Sequence, residues 1–355
     1  MAELGCGEHK AAIYDRCEGQ KLVDLDDITA LSWGRALDTY SSASVTVGRA
    51  GSCCDLLTNM RSWRHELVIW RNNRQVWSGP IVRPVFGAGE TTIPARDRWA
   101  WLDFRAVRAD MTLTGDLTDI AVRLIEHGLT HPDGDFDDET CILAFLEAIP
   151  SGVYGSRDFK ALQSMVGAEL RNLTRGPLNA TFLGRRLVLF GPKPLSRTAM
   201  LQDKDFMDEL TVVEDGLSAV TRAYVAGQTV TATAGGTDPY YGLLEQIYQD
   251  QTVTTQFDAQ TLAQAQVDTN GWPPLVISVP DGVQLAPDAP VDIDELVPGT
   301  EVPVWSSRTC REVNQNLVLT KLDVTVSPDQ GERVAVTLAP GTALSEQLTG
   351  SGGVG

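Results

Sequence analysis

Four histidines are the first candidates for acid–base chemistry, because imidazole is the side chain that titrates nearest to neutral pH. His65 lies in an arginine-rich, strand-like segment, which favours a surface role over catalysis. His127 ends a predicted helix, where a cationic side chain interacts favourably with the helix dipole. His9 and His131 complete the set. The sequence contains no nucleophile elbow, His-Glu-x-x-His helix or phosphate-binding glycine loop, so we predict no catalytic residue and no enzyme.

An acidic loop at residues 131–138 offers a second kind of chemistry, cation binding. Its sequence HPDGDFDD presents Asp133, Asp135, Asp137 and Asp138, and calcium takes several oxygen ligands. The glycine comes too early for an EF-hand loop, and the bidentate glutamate that closes such a loop is missing. We therefore predict a solvated acidic turn, and no metal or cofactor.

The cysteines could bind a metal or form disulfides. There are six, at Cys6, Cys17, Cys53, Cys54, Cys141 and Cys310. None belongs to a Cys-x-x-Cys pair. A zinc site made of Cys6, Cys17 and His9 stays open as an alternative, although this spacing fits no known signature. We predict reduced, partly buried thiols.

Aromatic side chains could form a sugar-binding surface. Trp70, Trp77, Trp99 and Trp101 crowd one segment of the chain. Because they alternate with arginines and polar residues, packing in a core or a subunit interface is the favoured interpretation.

The formal net charge is −18, and it is unevenly distributed. Between Asp203 and Glu301 the only basic side chains are Lys204 and Arg222. Arginines crowd the first strand-rich region instead, at Arg61, Arg64, Arg71, Arg74, Arg83, Arg96, Arg98, Arg105 and Arg108. The two halves are either independently solvated or complementary, the basic half of one copy meeting the acidic half of the next in a closed ring. An acidic surface repels phosphate, which argues against stable nucleic-acid binding.

The length of 355 residues allows two or more domains. A hydrophobic fraction of 43% and a charged fraction of 21% are typical of a folded soluble protein. No apolar run approaches the roughly 20 residues of a transmembrane helix, so we expect no membrane insertion. The first residues lack the basic and apolar regions of a signal peptide, and we expect folding in a cytoplasm.

Alternation with a period of two, together with turn residues, predicts two strand-rich regions, each interpreted as a small β-barrel. The first covers residues 1–109, with a tight hairpin at Asn72 and Asn73. The second combines residues 196–237 and 300–343. The predicted fold class is mainly β with α+β inserts: two small β-barrel domains plus two insert domains.

Residues 110–195 form the first predicted insert, which is α+β in character. Asp116 and Asp158 each predict the beginning of a helix, because an aspartate side chain can accept hydrogen bonds from the first free N–H groups. A hairpin is predicted over residues 179–190.

Residues 238–299 form the second predicted insert, with a helix from about residue 258 to residue 268. Residues 344–355 are rich in glycine and serine, and we predict a flexible tail there.

The order of several segments resembles the minor tail proteins of actinobacteriophages with long non-contractile tails. In the first half these are RHELVIWRNNRQVWSGPI at residues 64–81 and ARDRWAWLDFR at residues 95–105. In the second half they are DGLSAVTRAYV at residues 215–225 and DELVPGT at residues 294–300. The signature residues are Trp77, Gly79, Pro80, Asp97, Trp101, Leu102, Arg105, Glu295, Leu296, Pro298 and Gly299. These proteins are similar to the baseplate hub, or tail-associated protein, of many tailed phages.

The resemblance implies a structural virion protein, a homotrimer whose two barrels per chain alternate in a six-part ring. Such a hub joins the six-fold tail tube and its distal tail protein to the three-fold tail tip, and it forms the channel for DNA and the tape measure protein. Further minor tail or fibre proteins are the other implied partners. The implied location is the virion tail tip, assembled in the host cytoplasm.

Two alternatives stay open: a receptor- or carbohydrate-binding tail-tip module, and a cell-wall-degrading tail enzyme. Some relatives carry a C-terminal lytic extension. This chain ends soon after the last predicted strand, so we expect no lytic activity.

Overall fold

A computed structural model describes residues 4–48, 57–131, 134, 137–175, 177–214, 216–227, 229–249, 256–271 and 275–340. The strands are, in chain order, β1 (His9–Asp15), β2 (Lys21–Asp24), β3 (Ile28–Ala36), β4 (Ser42–Gly48), β5 (His65–Arg71), β6 (Arg74–Pro80), β7 (Val85–Phe86), β8 (Glu90–Arg96), β9 (Met111–Asp116), β10 (Leu146–Ala148), β11 (Tyr154–Phe159), β12 (Asn179–Leu183), β13 (Arg186–Phe190), β14 (Leu201–Gln202), β15 (Thr211–Glu214), β16 (Arg222–Ala226), β17 (Thr231–Gly235), β18 (Glu245–Gln249), β19 (Leu275–Ser278), β20 (Val283–Gln284), β21 (Glu301–Ser306), β22 (Val313–Ser327) and β23 (Gly331–Pro340). The α-helices are α1 (Trp99–Leu102), α2 (Leu117–Leu129), α3 (Val166–Thr174) and α4 (Gln256–Asn270), and 3₁₀ turns occur at Arg16–Glu18, Leu143–Phe145 and Asp203–Asp205.

The predicted fold class, mainly β with α+β parts, is confirmed. Among the described residues, no helix is both long enough and apolar enough to cross a membrane.

The chain forms two compact units. The first runs to Glu209 and takes in Val279–Val304 and the strands from Asn316 onward, and the second contains Leu210–Ser278 and Trp305–Gln315. The domain boundaries drawn from the sequence stay a prediction.

A nine-stranded sheet dominates the first unit, in the order β14-β21-β22-β3-β4-β8-β7, with β23 beside β22 and β20 beside β23. Val45 lies opposite Leu31 and Ile93, and Trp33 lies opposite Val324. All five side chains are buried, as expected for one face of strands whose side chains alternate between faces. The β3–β22 pair joins strands of the two predicted barrel regions in one sheet, and no sheet closes on itself among the described strands.

A four-stranded sheet, in the order β2-β1-β5-β6, carries the predicted hairpin. Asn72 and Asn73 have φ values of 50° and 62°, a left-handed conformation that asparagine tolerates and that a two-residue turn requires. The predicted turn is therefore confirmed. Ile13 of β1 lies opposite Leu67 of β5, and both are buried.

The α+β part comprises α1–α3 and β9–β13, at residues 99–190. α2 begins after Asp116, whose carboxylate accepts a hydrogen bond from the Thr118 N–H at 2.9 Å, so the predicted cap is confirmed. Ile120 and Leu124 of α2 and Leu170 of α3 are buried in one core. β12 and β13 form the predicted hairpin.

The second predicted helix start, at Asp158, is wrong. Asp158 lies in β11, and its carboxylate accepts a hydrogen bond from Thr112 Oγ1 of β9 at 2.7 Å. The helix begins only after Met165. Pairing between β9 and β11, strands that lie far apart in the sequence, outweighs the local capping signal.

The second unit holds a three-stranded sheet, β17-β16-β18, and a two-stranded ribbon, β15-β19. The predicted second-insert helix is confirmed as α4. Its Ala259 and Ala263 pack with Val225, Ala232 and Ala234 of the sheet.

Candidate functional site

The signature residues of the first half converge on a buried joint between β6, β4 and α1. Trp77 Nε1 donates a hydrogen bond to Ser41 Oγ at 3.1 Å. Ser41 in turn donates from its N–H and its hydroxyl to Asp97 Oδ2, at 2.5 Å and 2.8 Å. Asp97 Oδ1 accepts from the Trp99 N–H at 3.1 Å, which orients the first turn of α1. Burial raises the pKa of Asp97 to about 7, against the opposing effect of the Ser41 and Trp99 hydrogen bonds.

Gly79 allows two segments of this joint to approach closely. A Cβ atom at this position would lie 1.9 Å from the carbonyl oxygen of Arg96. No side chain fits there, so the glycine is required by packing. Pro80 follows it and is buried at the end of β6.

α1 connects this joint to the α+β part. Trp101 packs edge-on against Trp63, with ring centroids 5.1 Å apart. Leu102 is fully buried in the core of the α+β part. The carbonyl oxygen of Arg105 accepts a hydrogen bond from the Val166 N–H at 2.7 Å, which fixes the beginning of α3.

The signature residues of the second half form another joint. Arg35 Nη1 donates to the carbonyl oxygens of Ile293 and Leu296, at 3.1 Å and 3.2 Å. Gly299 has φ +93°, and a Cβ atom there would lie 2.4 Å from Phe190 Cζ, so this position also requires glycine. The Gly299 N–H donates to the Leu319 carbonyl oxygen at 2.7 Å.

Of the remaining signature residues, Pro298 is buried and Glu295 is exposed. The structure thus places the signature residues at separate joints rather than in one open cleft. Their role in these positions is to hold strands, α1 and the α+β part together. Their value as a signature of the family stays a prediction.

A buried ion cluster around Glu332 was missed by the sequence analysis. Arg71 donates to Glu332 Oε1 from Nε at 2.6 Å and to Oε2 from Nη2 at 2.9 Å. The N–H groups of Gly5 and Gly7 donate to the same carboxylate, at 2.9 Å and 3.0 Å. Burial raises the pKa of Glu332, but the hydrogen bonds from Arg71 and Gly7 outweigh it and hold the pKa below its ordinary value. The sequence pattern does indicate that Glu332 is buried, because side chains alternate between the two faces of a strand and Glu332 lies on the same face of β23 as the buried Val334.

A second buried ion cluster surrounds Arg98, whose side chain is completely buried. Arg98 Nη2 donates to Glu66 Oε2 at 2.9 Å and lies 3.4 Å from Glu18 Oε1. Arg185 Nη1 lies 3.6 Å from the other oxygen of Glu18. Burial raises the pKa of Glu66 despite the nearby Arg98 charge. Removing one member would leave a buried charge without its partner, so we expect such a substitution in either cluster to destabilise the fold strongly.

The histidines do not assemble into a catalytic arrangement. His65 Nδ1 accepts a hydrogen bond from the Arg61 N–H at 2.9 Å. His127 is at the end of α2 as predicted, but its predicted cationic role is wrong. Its Nε2 accepts from the Arg108 N–H at 2.9 Å, and burial and the Arg108 charge lower its pKa. Arg108 supplies the positive charge instead, donating to the carbonyl oxygens of His127 and Thr130.

The acidic loop lies partly outside the described residues, which exclude Asp133 and Asp135. Asp138 caps the following turn, since its oxygens accept from the Thr140 and Leu143 N–H groups at 2.9 Å and 2.8 Å. Within the described segments, no group of three or more His, Cys, Asp or Glu side chains could hold a metal ion.

The prediction of reduced, partly buried thiols is wrong for Cys17 and Cys141; for Cys6 and Cys310 it is right that the thiols are free and wrong that they are partly buried. Cys17 and Cys141 form a disulfide, with Cα atoms 5.7 Å apart, and Cys6 and Cys310 are exposed. Cys53 and Cys54 lie outside the described residues. The alternative zinc site of Cys6, Cys17 and His9 is not formed, because Cys17 is bonded to Cys141. His9 instead accepts a hydrogen bond from Trp33 Nε1 at 3.2 Å and lies 3.6 Å from Glu332. A single sequence carries no sign that cysteines separated by 124 positions meet.

Of the four tryptophans predicted to pack in a core or an interface, Trp77, Trp99 and Trp101 are buried and Trp70 is half-buried. The clustered arginines mostly find partners within the chain. Arg71 pairs with Glu332, and Arg74 pairs with Asp294. Part of the charge complementarity between the two halves is therefore used within one chain.

No protein-family model matches the sequence, and no curated protein matches it. Among solved structures, the 43 kDa tail protein of prophage MuSo2 from Shewanella oneidensis is similar, with TM-score 0.61 and 12% identity over 94% of this chain and 99% of that one. A tail protein from Neisseria meningitidis MC58 has TM-score 0.61 and 12% identity, over 96% and 99% of the two chains. The E. coli c3393 protein is a type VI secretion system component with structural similarity to the T4 tail proteins gp27 and gp5. It has TM-score 0.51 and 10% identity, over 88% and 73% of the two chains. At these identities the likeness shows the fold, which this chain shares with these tail and secretion-system proteins.

Proposed function

We propose that this chain is a structural, non-enzymatic component of a phage-type tail, and more specifically the trimeric tail-tip hub predicted from the sequence. The observation that carries the proposal is the extent of the structural likeness. It spans 94% and 96% of this chain and 99% of each of two tail proteins. A likeness over whole chains favours a shared architectural role over a common module joined to an unrelated protein.

The geometry of the joints supports a structural role. A ring subunit must keep its sheets in a fixed arrangement while adjacent subunits exert force on it. Asp97, Gly79 and Gly299 are buried where segments meet, and their substitution would break a joint rather than open a pocket. The buried Arg71–Glu332 and Arg98–Glu66 pairs add directional bonds at further contacts between segments.

The proposed assembly is a homotrimer in which each chain contributes two β regions to a six-part ring. Three chains would then match the six-fold tail tube and its distal tail protein on one side and the three-fold tip on the other. The channel would pass DNA and the tape measure protein, and further minor tail or fibre proteins would bind at the periphery. These partners come from the sequence resemblance.

The trimer is tested by native mass spectrometry and sedimentation of the purified full chain. We expect a species of three times the chain mass of 38.5 kDa, and its co-purification with the distal tail protein of the same phage. A monomer that fails to bind that protein at micromolar concentration would contradict the hub. Binding to isolated cell wall without tail partners would favour the receptor-binding alternative, and release of peptidoglycan fragments would favour the enzyme.

The acidic surface offers a test of the ring contact and the channel. Asp208, Glu209, Asp281 and Asp288 are exposed in the first unit. We propose that they face the channel or a basic neighbour. Their joint replacement by lysine should reduce trimer formation or DNA delivery, whereas Glu126→Lys, on the exposed face of α2, should leave both unchanged. Unchanged assembly and infectivity in the fourfold variant would contradict this placement.

A further inference from the structure

The Cys17–Cys141 disulfide joins parts of the first unit that are far apart in the sequence. Cys17 lies in the 3₁₀ turn between β1 and β2, and Cys141 lies just before the 3₁₀ turn Leu143–Phe145 of the α+β part. Both residues have positive φ values, 60° for Cys17 and 54° for Cys141. Residues other than glycine rarely adopt this conformation, so the surroundings must hold both backbones in place.

The contacts that accompany the bond are polar and mostly exposed. Arg16 pairs with Glu139, and these side chains are 32% and 57% exposed. Arg16 also lies over the ring of Trp101, 5.4 Å from its centroid. On the other side of Cys17, Glu18 lies 3.6 Å from Arg185 of the β12–β13 hairpin, a side chain that is 41% exposed. Glu18 also lies 3.4 Å from the buried Arg98, but Arg98 precedes the α+β part, which begins at Trp99. Exposed ion pairs contribute little, so the disulfide is the strongest link between the turn and the α+β part.

We propose that Cys17 and Cys141 form a redox-operated latch between the N-terminal four-stranded sheet and the α+β part. In the reduced protein the two cysteines are thiols, and the turn at residues 16–18 is held by polar contacts alone. In the oxidised protein the covalent bond closes a loop of more than a hundred residues, which removes much of the entropy that detachment would gain. A tail protein made in a reducing cytoplasm and released into an oxidising medium would close the latch on release. That timing alone rests on the proposed function.

The closing step is ordinary thiol–disulfide exchange. The thiolate of one cysteine attacks glutathione disulfide, which forms a mixed disulfide and releases one glutathione. The second cysteine then displaces the other glutathione and completes the protein disulfide. The two protein thiols lose two protons and two electrons. Glutathione disulfide takes up these two protons and two electrons and becomes two glutathione molecules.

The test uses the purified full chain, equilibrated either with reduced glutathione or with glutathione disulfide. Alkylation followed by peptide mapping should show Cys17 and Cys141 free in the first buffer and joined to each other in the second. The thermal midpoint should be about 4–8 °C higher in the oxidising buffer. Hydrogen exchange should slow in peptides covering Arg16–Glu18 and Leu143–Phe145 when the bond closes.

Two sets of variants make the assignment specific. Cys17→Ser and Cys141→Ser should each abolish the rise in thermal midpoint. The double variant Cys6→Ser/Cys310→Ser removes the two exposed free thiols found among the described residues and should keep the rise. The latch is overturned if Cys17 and Cys141 stay alkylatable in glutathione disulfide, or if the bond forms without changing the thermal midpoint or the hydrogen exchange. Because the wild-type comparison needs no substitution, it decides the question even where a serine variant fails to fold.

Discussion

The α+β part of the first unit and the second unit each pack helix against sheet, but they bury side chains of very different size. The α+β core contains large residues such as Trp99, Leu124 and Phe182. Between α4 and its sheet, the second unit packs Val225 with four alanines, among them Ala263. Burying a leucine or phenylalanine contributes far more free energy than burying an alanine, because the contribution scales with the apolar area removed from water.

Exposed apolar side chains occur in both regions, so the contrast lies in the cores: Tyr154 and Leu162 of the α+β part are 78% and 77% exposed. Leu217, Tyr240 and Ile247 of the second unit are 98%, 82% and 67% exposed. A region that buries little apolar surface opens more readily than one with a large core. We infer that the α+β part is the rigid frame of this chain, and that the second unit is the region whose stability depends most on its surroundings.

The largest effect should come from the α+β core. Leu124 of α2 is fully buried, and Leu124→Ala should lower the free energy of unfolding by about 3 kcal/mol through lost burial and the cavity left behind. Urea denaturation followed by tryptophan fluorescence measures it. Arg123→Ala, at the exposed neighbouring position, should change it by less than about 0.5 kcal/mol. Equal effects at the two positions would contradict a closed core.

An intermediate effect should come from the cap of the same helix, and it should depend on pH. Burial raises the pKa of Asp116, but hydrogen bonds from Thr118 and Ser151 outweigh it and hold the pKa well below its ordinary value. A depressed folded pKa stabilises the protein above the unfolded pKa of about 4, and this stabilisation is lost as the pH falls toward the folded pKa.

Asp116→Ala should therefore cost about 1–2 kcal/mol at pH 7, and the difference from wild type should shrink below pH 4 when measured by urea denaturation at several pH values. Asp116→Asn is the control, since it keeps one acceptor oxygen and cannot titrate. A difference that stays constant from pH 7 to pH 3 would show that the carboxylate charge does not stabilise α2.

The smallest effect should come from the second unit. Ala263→Gly should lower the stability of α4 by about 1 kcal/mol, and hydrogen exchange should speed up in β16–β18 while α2 stays protected. Ile247→Thr keeps a β-branched residue at an exposed strand position and should change stability by less than about 0.5 kcal/mol. If Ala263→Gly also deprotected α2, the two regions would share one cooperative core and the contrast between them would fail.

Local structural features such as caps and turns were predicted well, because they depend on residues that are adjacent in the sequence. The cap at Asp116 and the turn at Asn72 and Asn73 follow from side chains that bond to, or tolerate, the adjacent backbone. The same kind of signal failed at Asp158, where a distant strand competes for the segment.

The candidate site was only partly predictable. The close approaches at Gly79 and Gly299 could not be deduced from spacing, since the atoms that fill the space, Arg96 O and the Phe190 ring, are supplied by segments brought together in the fold. Glu332 could have been recognised as a buried carboxylate from its phase in β23, but its partner Arg71 could not.

The sequence by itself determined the mainly β class, the positions of most helices and turns, and the uneven distribution of charge. The tertiary structure alone decided that β3 pairs with β22, that Cys17 meets Cys141, and that Arg71 and Arg74 are neutralised within the chain. The physical reason is range. Hydrogen bonds within a turn or a helix depend on residues that are close in the sequence. Each of these contacts instead joins partners more than a hundred positions apart, and it depends on the path that the chain takes between them.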